Sequence, residues 1–62
     1  MTARRPQLYV VTFDDATGSD IRSRVFQTVR AARNWARFLR SQHYVTAATI
    51  WRGQPGGERV EG

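Results

Sequence analysis

From Gln7 to Phe13 (QLYVVTF), β-branched and aromatic residues occupy both alternating faces, Tyr9, Val11 and Phe13 on one and Leu8 and Val10 on the other. That pattern predicts a central strand, enclosed on two sides. Ile21–Gln27 (IRSRVFQ) alternates more sharply, with Arg22, Arg24 and Phe26 on one side and Ile21, Ser23 and Val25 on the other. It predicts a second strand. The intervening Asp14–Asp20 (DDATGSD) has a glycine and several short polar side chains, the chemistry of a hairpin loop. From Thr28 to His43 the period lengthens to that of a helix: Val29, Ala32, Trp35, Ala36 and Leu39 share one face, and Arg30, Arg33, Arg37 and Arg40 share the other. Thr28 is the expected N-cap, while Arg40 and His43 suit the negative C-terminal end. Tyr44–Trp51 (YVTAATIW) returns to strand composition.

The order strand, strand, helix, strand defines an α+β class and a small ββαβ domain. The hairpin makes the first two strands antiparallel, and a right-handed crossover through the helix brings the third beside the first. The expected sheet is three-stranded and antiparallel, of order 2-1-3, with one helix packed on one face. Its core should contain Val11, Phe13, Val25, Phe26, Ala32, Trp35, Ala36 and Leu39. Residues 7–53 form that domain. Residues 1–6 read as a flexible basic arm carrying Arg4 and Arg5. Residues 54–62, rich in glycine and following Gly53, read as a disordered tail, with Val60 the residue to suspect if the tail docks. The sheet face away from the helix is left without a cover within the chain, which predicts a homodimer through that face or through the third-strand edge.

Charge sharpens the picture around the helix. The net charge is +5, and all ten basic residues are arginine, each a permanently charged planar fork suited to phosphate or carboxylate. An excess of this size in 62 residues points to an anionic partner, nucleic acid or an acidic protein surface. The candidate binding residues are Arg30, Arg33, Arg37 and Arg40 on the helix and Arg22 and Arg24 on the second strand.

Catalytic and metal chemistry find little support. There is no cysteine, and a single histidine, His43, cannot build a structural zinc site. Ser19, Ser23 and Ser41 come with no motif that would make one of them a nucleophile. A calcium loop counted from Asp14 would need oxygen ligands at its third, fifth and twelfth positions, where Ala16, Gly18 and Val25 stand. No glycine loop is built to cradle a phosphate, so no cofactor is expected and the chain reads as non-enzymatic. No apolar run reaches membrane-spanning length, and the expected compartment is the cytoplasm.

The segment RSRVFQTVRAARNWARFLR, Arg22 to Arg40, resembles the arm-type DNA-binding domain of phage tyrosine integrases: a basic strand, then F-x-T, then a helix with Ala and Trp at set spacing. Phe26, Thr28, Ala32 and Trp35 match the packing part, and Arg22 and Arg24 fall where that family's sheet is basic. The resemblance covers about a third of the chain. It implies a small sheet that enters a major groove with the helix behind it. Two readings follow from the sequence as a whole. One is a small nucleic-acid-binding protein of the phage- or plasmid-regulator kind, using its arginine-striped helix. The other is a protein-binding module, such as a phage-encoded inhibitor of a host nucleoprotein complex in the manner of anti-CRISPR proteins.

Overall fold

A computed structural model describes residues Gln7–Glu61. The arm expected over residues 1–6 lies outside them. The elements are β1 (Tyr9–Asp15), β2 (Gly18–Phe26), α1 (Val29–Arg40), β3 (Ala47–Arg52) and β4 (Glu58–Glu61). All neighbouring strands are antiparallel, in the order β2-β1-β3-β4, so the expected 2-1-3 arrangement is present with one strand added at its edge.

That fourth strand corrects the reading of residues 54–62 as a disordered tail. Gln54–Gly57 is a turn closed by a bond from Gly57 N–H to the Gln54 carbonyl at 3.0 Å, with Gly56 at φ 86°. Proline fixes φ at the first central position and glycine supplies the positive φ at the second, the requirement of a type II turn. The same glycines and proline that suggested disorder therefore reverse the chain onto β3. Arg52 and Glu58 pair across this hairpin at 3.2 Å, and Val60 packs on the core.

The β1–β2 turn is tighter than the expected seven-residue loop. Asp15 pairs with Gly18, and the Asp15 carboxylate accepts bonds from the Thr17 N–H (2.8 Å), the Thr17 hydroxyl (2.6 Å) and the Gly18 N–H (3.2 Å). One aspartate thus satisfies the turn's orphan donors. Helix α1 begins as expected: Thr28 is extended at φ −130°, ψ 150°, and its hydroxyl accepts from the Ala31 N–H at 3.2 Å. It ends earlier than His43, at Arg40, where the Ser41 hydroxyl donates to the Phe38 carbonyl at 2.6 Å.

The core lies between α1 and the sheet. Val11, Ala32, Ala36, Leu39, Ala48 and Ile50 are buried, with Tyr9, Phe13, Phe26, Trp35, Val45 and Val60 packed around them. The three helix members all come from the predicted apolar stripe, whereas Val25, expected in the core, is 50% exposed. The reason is register. Val25 pairs with Val10 and so points away from α1, whereas Phe26 pairs with Tyr9 and points toward it.

The face away from α1 is partly covered by the chain itself. Val10 and Thr12 point there yet are only 4% and 0% exposed. Trp51 pairs with Val10, and its indole N–H donates to the Thr12 hydroxyl at 2.9 Å, so the ring lies across β1. What remains apolar and exposed on this face is Val25 and Leu8.

Candidate functional site

The sequence places four arginines on one side of α1, and the sheet divides them. Arg33 is ion-paired with Glu61 of β4. Arg40 donates through Nη2 to the Ala48 carbonyl at 3.0 Å. β4 pairs only with Ile50–Arg52, so among the described residues the outer edge of Ala47–Thr49 has no strand beside it. A guanidinium on that edge satisfies a carbonyl and blunts the edge against further strand pairing. Arg40, Thr46, Ala47, Ala48 and Glu61 line the groove that results. Arg33 and Arg40 are thus tied to the sheet, and the acid that the stripe lacks within the helix arrives from β4.

Arg30 and Arg37 stand differently. Both are exposed, and the ion pairs among the described residues are Arg33–Glu61 and Arg52–Glu58, which leave these two without a carboxylate. Seven residues separate them, about 10 Å along the axis, or two turns. Asn34 lies between them on the same outward surface, since its step from each is three or four residues. Arg30 is the second residue of α1, at the positive end of the helix dipole, and the first turn holds no acid. A cation there opposes the dipole by about 0.3–1 kcal/mol. Arg37, in the last turn, complements it.

Arg22 and Arg24 do not share a surface. The register between β1 and β2 shifts between Val11, which faces Arg24, and Thr12, which faces Arg22, leaving Ser23 as the extra residue of a bulge. Arg22 consequently projects with Thr12 on the face away from the helix. Arg24 projects toward α1, its guanidinium 5.1 Å from the Trp35 ring centroid and 5.7 Å from that of Phe26. The strict alternation read from the sequence, with both arginines on one side, is corrected by that one inserted residue.

The bulge also fixes the aromatic flank of the helix. Ser23 accepts the Trp35 indole N–H at 2.7 Å, and Trp35 is stacked on Phe38 with centroids 5.0 Å apart and planes inclined by 25°. Phe38 is 51% exposed. The outward surface of α1 therefore runs from unpaired arginine, through an amide, to an open aromatic ring. Arg59, which sequence reasoning did not single out, pairs with Trp51 and projects beside it on the opposite face of the sheet.

One acid, Glu61, reaches the arginine side of α1 through Arg33. Glu58 and Glu61 are held by Arg52 and Arg33, and Asp14, Asp15 and Asp20 gather at the β1–β2 hairpin. Hydrogen bonds from the Thr17 hydroxyl and then the Thr17 N–H hold the Asp15 carboxyl below the ordinary carboxylate range. Among the described residues no group of three or more histidine, cysteine or acidic side chains is placed to hold a metal ion, and no helix is long and apolar enough to cross a membrane. The chain matches no protein-family model, no curated protein and no solved structure.

Proposed function

We propose that this is a small non-enzymatic nucleic-acid-binding protein whose phosphate contacts are made from the outward surface of α1. The observation that supports it most is the state of Arg30 and Arg37: two exposed guanidinium groups two turns apart, without a carboxylate partner among the described residues. Arg30 in addition opposes the helix dipole, and Arg30, Arg33, Arg37 and Arg40 repel one another at i,i+3 and i,i+4 spacing by a few tenths of a kcal/mol per pair. A polyanion laid along the helix would offset both costs. Guanidinium forks bind phosphate oxygens bidentately, and contacts of this kind fix position on a backbone rather than read its sequence. Arg33 and Arg40 add to the local potential while remaining attached to the sheet.

The test is a titration of the full chain against labelled mixed-sequence DNA and RNA at low salt, followed by anisotropy. Saturable binding that weakens as salt rises supports the reading. No binding of either polymer sinks it. A second reading, a protein-binding module, draws on Leu8 and Val25, exposed apolar side chains on the side of the sheet that α1 leaves open. It predicts capture of a host protein that survives nuclease treatment and is lost on replacing Val25 with a polar residue.

A further inference from the structure

We infer that Phe38 is a stacking platform for an unpaired base, so that the polymer this surface takes is single-stranded nucleic acid; the inference rests on the nucleic-acid reading above. A lone exposed phenylalanine would carry no such meaning. Phe38 is not alone. Its ring is stacked on Trp35 at 5.0 Å and 25°, yet the residue is 51% exposed, so one face of the ring is taken and the other is open. Trp35 is itself held from two directions, by the bond from its indole N–H to the Ser23 hydroxyl at 2.7 Å and by the Arg24 guanidinium 5.1 Å from its centroid. The open ring is thus the outer member of a stack anchored to β2, and ordering it costs little on binding.

What surrounds the ring matches one chemistry. A nucleotide in a single strand offers a flat π-face and, one sugar away, a negative charge. Stacking on an aromatic ring beside a basic groove is the general means of holding it. Arg37 adjoins Phe38 in sequence, and Arg30 lies two turns from Arg37. Asn34, one turn from Phe38, has an amide that can donate to and accept from a base edge. Gln42, one turn on the other side, is already engaged by the Phe38 carbonyl and the Ser41 hydroxyl, at 3.4 Å each. A second copy of the chain fits this surface poorly, because the same arginines would face one another. A duplex can reach the arginines but cannot offer an unstacked base to the ring.

Anisotropy with a labelled single-stranded 12-mer of mixed sequence and with its blunt duplex tests this on the full chain. Stacking of one base on an aromatic side chain corresponds to about 5- to 150-fold in affinity. The wild type should prefer the single strand. Phe38→Leu, which keeps an apolar contact with Trp35, should weaken single-strand binding at least about fivefold and leave duplex binding unchanged, while Phe38→Trp should restore it. Unchanged single-strand affinity in Phe38→Leu overturns the inference. So does an equal loss on both polymers, or a sedimentation shift showing that Phe38→Leu dissolves a self-associated species. If the wild type binds neither polymer, the nucleic-acid reading itself falls; if it binds and only the Phe38 dependence is missing, that reading stands and the stacking role alone is removed.

Discussion

Arg33 and Glu61, 28 residues apart in sequence, are joined in an ion pair that ties the middle of α1 to the last strand of the sheet. The pair is exposed, with side chains 56% and 32% accessible, so its own contribution is at most about 1 kcal/mol. Its value lies in register: it sits beside Val60, which packs on the core.

Truncation after Gly53 should therefore destabilise the domain. Removing β4 takes away Val60, the Arg33–Glu61 and Arg52–Glu58 pairs and the strand that covers Ile50–Arg52, a loss of about 1–3 kcal/mol in urea denaturation. Glu61→Gln alone should cost less than about 1 kcal/mol. A truncated chain as stable as the whole would show that β4 does not contribute to folding.

Trp51 should act as the cover of the helix-free face. Trp51→Ala uncovers Val10 and Thr12 and is expected to cost about 2–4 kcal/mol, whereas Trp51→Phe, which loses chiefly the bond to the Thr12 hydroxyl, should cost about 1 kcal/mol. Equal stability of Trp51→Ala and wild type would mean that something other than the indole covers these residues, and sedimentation would then identify a second copy as the cover.

The outline of the fold is legible in the sequence because its signals are local. The period of α1, its Thr28 cap and the two-sided apolarity of β1 each follow from steric and burial rules within one element, and together they predict the antiparallel neighbours β2-β1-β3. What escapes is set by pairing between elements. A single bulge at Ser23 sends Arg22 to the face opposite Arg24, and no periodicity in IRSRVFQ marks where the extra residue sits. The β4 hairpin has a local signal too, because Pro55–Gly56 carries the residues of a type II turn; the density of glycine around it suggests chain entropy and hides that geometry. In the candidate site, the four arginines share a helix side as their spacing requires. That Glu61 and the Ala48 carbonyl engage two of them depends on strands distant in sequence.

The hairpin aspartate should be visible in acid. Asp15 is held below the ordinary carboxylate range first by the Thr17 hydroxyl, so the charged form stabilises the folded turn. A depressed folded-state pKa gives stability that is present above the unfolded-state value and is lost as pH falls through the folded one. Carboxyl-carbon NMR should show Asp15 titrating below the ordinary range, and Thr17→Val, which keeps the backbone N–H, should move the midpoint upward. A midpoint unchanged by Thr17→Val would assign the effect to the backbone donors instead.

The N-cap gives a calibration for the helix. Thr28→Ala removes the acceptor for the Ala31 N–H and should cost about 1 kcal/mol, within a range of about 0.5–2. Thr28→Asp should retain the acceptor and, by adding a negative charge at the positive end of α1, recover the loss. A Thr28→Ala variant with the wild-type denaturation midpoint would show that the cap bond does not persist in solution.

The measurement that bears most directly on the proposed function is the salt dependence of binding in the Arg30→Gln/Arg37→Gln double variant. Each phosphate no longer neutralised by a guanidinium lowers the slope of log affinity against log salt by about 0.7 to 0.9, according to whether the polymer is single- or double-stranded. The variant is expected to be about as stable as wild type, because losing the cation that opposes the dipole at Arg30 offsets losing the one that complements it at Arg37, and to show a binding slope shallower by about 1.4 to 1.8 units. A slope and affinity equal to those of the wild type would contradict the proposal, and would remove the outward surface of α1 as the site of phosphate contact.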